Sequence, residues 1–290
     1  MDLLIKSAEL LQIPKYVDVA ASTVLIFDYF QTFEMEVDLI WRSKWSVGKA
    51  LFFVTRYPCF VDTAFVLYDH FLPTQEVSHE TCLKIDTFTD WSAVIGIAAA
   101  EAIVGLRTYA LWGNNRRILI ILSISYTITF ITSAVILITF LRSLRYGDPP
   151  LPTVGGCYQV DGSKVLFVDY ALLILMETLI MVLTIWVGIK RFRHSHNHLI
   201  TVLYRDGIFY FVYLFLVSAA NVIVILAGPD EFVDLFNSFQ RIMHSVLSAR
   251  IMLHMREAAR TDRPEEKTTD TSLIFMSAET RMAEGISVST

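Results

Sequence analysis

The sequence predicts an all-α integral membrane protein: a seven-transmembrane helix bundle of receptor-like topology, with its N-terminus outside and its C-terminus cytoplasmic. Three observations predict it. The chain of 290 residues is 54% hydrophobic with glycine left out, whereas soluble domains sit at about 45–50% with glycine counted. Its mean hydropathy is +0.51, and the apolar residues fall in blocks of about twenty, the length a helix needs to cross hydrocarbon. The Lys and Arg residues gather in alternate connections between those blocks.

In order, the blocks span residues 17–33, 50–72, 88–112, 118–141, 165–189, 208–227 and 232–253. The first is the least apolar, with Asp18 and Asp28 inside it; the fourth carries no charge before Arg142. Strands of a membrane barrel would be about ten residues long and alternate in polarity, so these continuous runs are helices. The connections 34–49, 107–117 and 190–206 with the tail 254–290 hold 15 of the 24 basic residues. The opposite set holds 6, which makes the first set cytoplasmic. Trp41, Trp45, Trp91, Trp112 and Trp186 all lie in a connection or near a span end, as interfacial anchors do.

The first sixteen residues lack an apolar signal-peptide core, so the first span reads as an uncleaved anchor. Residues 1–253 form the membrane domain; 254–290, rich in Thr, Ser and Glu beyond Pro264, read as a disordered cytoplasmic tail. A net charge of −5 without a basic face excludes nucleic acid as a partner. The absence of an internal repeat weakens a transporter built from inverted halves.

Charge inside the spans is the main functional lead. Asp28, Arg56, Asp62, Glu101, Glu177 and Arg241 all fall within them, and a centrally placed ion costs about 2.5–3.5 kcal/mol against lipid. They should therefore face inward. Asp28 lies about five residues before the inner end of the first span and Arg56 about six into the second, so at about 1.5 Å per residue the two reach one depth and can pair. Asn237, Arg241, His244 and Ser248 share one face of the seventh span. Gly96, Ala100 and Gly105 permit close packing near Glu101. Two readings stand side by side: a polar cavity or relay of Glu101, Glu177, Arg241 and His244 with Asn237, or a buried ion-pair cluster that only fixes helix register.

Cys82 and Cys157 are both expected on the oxidising side, either joined as a disulfide or present as two free thiols, while Cys59 lies within a span. His194, His196 and His198 alternate in a cytoplasmic connection that reads as a basic, lipid-facing loop or as a metal ligand set. Thr268, Thr269, Thr271 and Ser272 offer hydroxyls for phosphorylation, a weak signal in a tail of this composition. No CxxC or Cys/His zinc spacing, nucleophile elbow, HExxH, P-loop or dinucleotide glycine pattern occurs, so no metal, cofactor or enzymatic activity is expected.

Residues 27–57 carry Asp28-Tyr29, Thr32, Glu36-Val37, Leu39-Ile40-Trp41, Ser46, Lys49, Leu51-Phe52 and Arg56-Tyr57. This pattern resembles the N-terminal domain of unknown function in a large set of basidiomycete fungal seven-pass membrane proteins. Tyr109-Ala110 and Trp112 with Arg116, and Ser248, Arg250 and Arg256-Glu257, are also similar. The resemblance implies a seven-helix multi-pass protein and assigns no activity and no functional residues. Likeness to rhodopsin-like receptors is topological only, since the third span ends in Leu106-Arg107-Thr108-Tyr109 and the seventh lacks both Asn-Pro-x-x-Tyr and a retinal-binding Lys. The resulting expectation is a plasma-membrane sensor of a small extracellular molecule, read by a cytoplasmic signalling partner. A proton-linked transporter or channel and a non-catalytic scaffold are the alternatives.

Overall fold

The computed structural model describes residues 2–71, 78–147, 157–161, 163–192, 198–228, 232 and 235–261. Among these, α1 (Asp2–Glu36) runs into a π-helical turn (Val37–Trp41) and is followed by α2 (Val47–Phe71), α3 (His79–Leu111) and α4 (Arg116–Ser143). A short ribbon of β1 (Arg145–Gly147) and β2 (Tyr158–Asp161) precedes α5 (Leu166–Phe192), α6 (His198–Ala227) and α7 (Asn237–Thr261). The chain is an all-α membrane protein in which α2, α3, α4, α5 and α6 are long and apolar enough to cross a bilayer.

α1 and α7 fall outside that set because they are less apolar along their length, and their buried polar residues face neighbouring helices. α7 packs against α1, α2, α3 and α6, and every residue from 240 to 249 is buried. Its Gln240, Arg241, His244, Ser245 and Ser248 therefore sit inside the bundle. α4 shows the opposite distribution. Ile120, Ile121, Ile124, Ile128, Ile131, Val135 and Ile138 are all exposed, forming an apolar seam on the outside. Charge within and hydrocarbon without is the arrangement a lipid solvent selects.

Several boundaries differ from the sequence reading. α1 begins at Asp2 and passes through Pro14, since the leucine-rich start continues the helix. α3 begins at His79 with Ser78 as its cap, whose hydroxyl accepts from the Thr81 amide; Cys82 thus lies in the first turn of a helix. α7 continues past 253 to Thr261. The all-α expectation also omits the antiparallel ribbon, in which Tyr146 faces Gln159 and Gly147 faces Tyr158. His194, His196, the tail hydroxyls Thr268, Thr269, Thr271 and Ser272, and the reading of 262–290 as disordered lie outside the described residues.

The α3–α4 connection is short because Gly113 and Asn114 both take positive φ (66° and 59°), turning the chain out of α3. Asn115 then caps α4 by accepting from the Arg117 amide. At the same end of the bundle the core is Ile40, Phe52, Ile103, Ala249, Met252 and Leu253, drawn from the π-helical turn, α2, α3 and α7.

Candidate functional site

Two polar clusters lie inside the bundle, and they are built differently. The first closes the α1–α2 hairpin. Arg56 is fully buried, with Nη1 2.5 Å from Asp28 Oδ2 and Nε 2.9 Å from Glu36 Oε1. Its Nη2 donates to Thr32 Oγ1 at 2.7 Å. Arg250 of α7 donates to the other Asp28 oxygen at 2.5 Å and to Gln31 at 2.6 Å. Tyr57 donates to Glu36 Oε2 at 3.3 Å, and Trp41 donates to the Tyr57 hydroxyl at 3.0 Å.

The end of α1 leaves carbonyls without helical partners. Lys49 Nζ donates to the carbonyls of Trp41 (3.0 Å) and Ser43 (2.8 Å), and Arg256 of α7 donates to that of Leu39 (2.9 Å). Of the 27–57 pattern, Asp28, Thr32, Glu36, Trp41, Ser46, Lys49, Arg56 and Tyr57 all take part in this one network or its caps.

The second cluster sits at mid-bundle among α2, α3, α5 and α7. The α7 stripe divides here. Arg241 turns to α2, with Nε 3.3 Å from Asp62 Oδ2 and Nη1 donating to the Thr55 carbonyl at 3.1 Å. Its guanidinium occupies the space a side chain at Gly96 would fill. His244 turns instead to α3 and α5, with Nε2 3.3 Å from Glu101 Oε1 and 3.4 Å from Glu177 Oε1. The expected grouping of Arg241 with Glu101 and Glu177 is therefore corrected: the reach of the guanidinium carries it to Asp62. The close packing expected of Gly105 is corrected too, because nothing lies within 4 Å of where its Cβ would be.

Glu177 accepts from Ser218 Oγ at 3.0 Å, Ser218 accepts from Gln240 Nε2 at 2.8 Å, and Gln240 accepts from Asn221. Even so, the second cluster is incompletely satisfied. Glu101 Oε2, Glu177 Oε2, His244 Nε2, both Asp62 oxygens and Arg241 Nη2 are buried without a hydrogen-bond partner, although nearly all such groups in folded proteins find one.

A cavity of about 80 Å³ adjoins this cluster between α3, α4 and α5. Glu101 and Tyr126 line it toward mid-bundle, with Asp90, Asp169 and Asn237 toward the end that carries the ribbon. Asp90 precedes Glu101 by eleven residues, about 16 Å along α3. Ser133 donates to Asp169, and Tyr170 donates to Asn237 Oδ1 at 3.2 Å. The lining has three carboxylates, two tyrosines and Phe130, and neither Lys nor Arg.

At the ribbon end, Cys82 and Cys157 form a disulfide with Cα atoms 5.7 Å apart, tying α3 to the segment before β2. Asp69 of α2 accepts the Cys157 amide at 3.1 Å, Tyr146 donates to Asp86 at 2.5 Å, and His70 contacts Asp18 at 2.7 Å. Burial pushes the Lys15 ammonium down from its usual value, with Asp69 acting in the opposite direction.

Sequence reasoning passed over Glu36, Asp90, Asp169, Ser218, Asn221, Gln240 and Arg250 as site residues. The signal for Glu36 was its place within the 27–57 pattern, and that for Asp90 and Asp169 was a carboxylate two or four residues inside a predicted span.

No curated protein matches the chain. Over residues 16–61 the chain matches the model of a family of unknown function (DUF6533), and this matched stretch supplies the α1 and α2 groups that close the hairpin network.

Proposed function

We propose that all seven helices cross the plasma membrane, N-terminus outside and C-terminus cytoplasmic, and that the protein is a receptor-like sensor of a small extracellular molecule. Two features support the topology: the excess of basic residues in alternate connections, and the burial of Asp28, Glu36, Arg241 and His244, which leaves α1 and α7 fit to stand in lipid. The observation that carries the sensing role is the cavity, which runs from Asp90 and Asp169 to Glu101 on the side that this topology places outside.

Its lining specifies a ligand class. The carboxylates of Glu101 and Asp169 beside the aromatic faces of Tyr126, Phe130 and Tyr170 suit a small organic cation, such as a primary or quaternary amine. A ligand held between α3, α4 and α5 would bias those helices against α7, and the shift would be read by a cytoplasmic partner where α3 passes into α4 and α5 into α6. A scaffold needs no such space.

The test is a thermal-shift and binding screen of the purified chain in lipid nanodiscs against small cations, neutral molecules and anions. Small amines should stabilise it, and Asp169→Asn should weaken their binding at least about tenfold, the loss expected when a buried charge partner is removed. Indifference to the whole panel would count against a sensor. The contact of His244 with Glu101 and Glu177 favours proton-linked transport as a second reading, and pH-dependent flux in liposomes separates the two.

A further inference from the structure

We infer that Glu101, Glu177 and His244 form a binding site for one divalent transition-metal ion, zinc by preference, at the centre of the bundle. Each residue offers a ligand atom, and the three atoms lie within 4.8 Å of one another. All three side chains are at least nine-tenths buried. A tetrahedral ion with ligands at about 2.1 Å places them about 3.4 Å apart. His244 Nε2 stands 3.3 Å and 3.4 Å from the two carboxylate oxygens.

The orientation of the imidazole carries the argument further. His244 Nδ1 is 3.0 Å from the Gln240 carbonyl, which can only accept, so Nδ1 carries a hydrogen. Nε2 then faces the two carboxylates, an arrangement that a cation bound among them would satisfy. A proton on Nε2 would donate to one of the oxygens. Neither contact has hydrogen-bond geometry, and Nε2, Glu101 Oε2 and Glu177 Oε2 are all without partners. An ion on the Nε2 axis would meet both carboxylates at once.

The surroundings match those of metal sites. A ligating histidine ordinarily donates its other nitrogen to a carbonyl or carboxylate, and ligating carboxylates are themselves held by hydrogen bonds. Gln240 supplies the first support, and the Asn221–Gln240–Ser218 chain supplies the second to Glu177. Among the described residues no Lys or Arg contacts Glu101 or Glu177, and Arg241 is engaged by Asp62 and Thr55. Two carboxyl groups and one imidazole with no Lys or Arg beside them are a donor set that suits a divalent ion. Glu101 also lines the cavity, which leaves room for water or a ligand at the fourth position.

The inference does not depend on the sensing role. The experiment is elemental analysis of the full chain, purified in detergent through a tag without histidine, followed by chelation and titration with Zn²⁺ or Co²⁺ alone. Expected are one ion per chain, a visible Co²⁺ absorption of tetrahedral type, and a rise in melting temperature on adding back metal. His244→Gln should abolish binding while Asp62→Asn keeps it. Ser218→Ala, a milder change for which folding is not at issue, should weaken affinity about 10–100-fold.

A wild-type chain that arrives metal-free and takes up neither ion overturns the inference. So does metal retained by His244→Gln but lost when His194, His196 and His198 are replaced by Asn. Amine binding by a chain that takes no metal would overturn this site alone and leave the sensing role standing; metal binding without any amine response would do the reverse.

Discussion

The α1–α2 hairpin and the mid-bundle cluster each bury ionic groups within one helical bundle, yet they treat them oppositely. At the hairpin Arg56 meets Asp28, Glu36 and Thr32 at 2.5–2.9 Å, and Arg250 takes the remaining Asp28 oxygen. At mid-bundle Glu101, Glu177, His244, Asp62 and Arg241 all keep buried polar atoms without hydrogen bonds. A saturated network specifies a structure, because any rearrangement loses several charge-assisted bonds at once. An unsaturated one is in place at a cost in stability, so it calls for an occupant or a task. The difference separates the part of the chain that determines the fold from the part that determines what the fold is for.

The largest effect should come from breaking the hairpin. Arg56→Met leaves Glu36 buried with only Tyr57 and Thr32 as partners, and removing one member of a buried ion pair costs about 3–5 kcal/mol. The variant should lose most of its folded yield in detergent, measured by size-exclusion profile and thermal unfolding. Adding Glu36→Gln should restore part of it, since the stranded charge is then gone. Equal yields for Arg56→Met and the wild type would remove the hairpin's structural role.

How much of this was legible in the sequence follows from the same contrast. The proximity of Asp28 and Arg56 could be argued from depth along two consecutive helices, a local calculation. Glu36 escaped it because the π-helical turn carries the helical chain to Trp41, so a residue assigned to a connection became fully buried. At mid-bundle the relevant residues are 101, 177 and 244, on three helices whose adjacency no spacing encodes. Helical periodicity put Arg241 and His244 on one face of α7, but side-chain length then sent one to α2 and the other to α3 and α5. The cavity was illegible for a related reason: Asp90 and Asp169 lie near the ends of predicted spans, where a carboxylate needs no explanation until the facing helix is known.

An intermediate effect should come from Gly96→Ala. The added methyl would overlap the Arg241 guanidinium, with Nη1 only 2.7 Å from the new Cβ. The arginine must move, losing the Thr55 carbonyl and its approach to Asp62, and overpacking of this kind costs about 1–3 kcal/mol. Gly105→Ala is the control on the same helix. With open space at that position, it should leave stability unchanged or raise it by up to about 1 kcal/mol through helix propensity. Parallel melting curves decide the matter, and equal destabilisation by both would mean that Gly96 serves the backbone and not Arg241.

The smallest effect should come from Glu101→Gln, measured with chelator present and no ligand. Removing a charged group is costly when it strands a partner, and here the partners are stranded already: His244 Nε2 and Glu177 Oε2 have no hydrogen bonds to lose. The substitution also removes one of two carboxylates that share the space around a single imidazole. Unfolding free energy should therefore change by no more than about 1 kcal/mol in either direction, while metal uptake and amine binding are both lost. A penalty of the size expected for Arg56→Met would show that Glu101 is as much a structural element as Glu36. The two clusters would then differ in geometry but not in purpose.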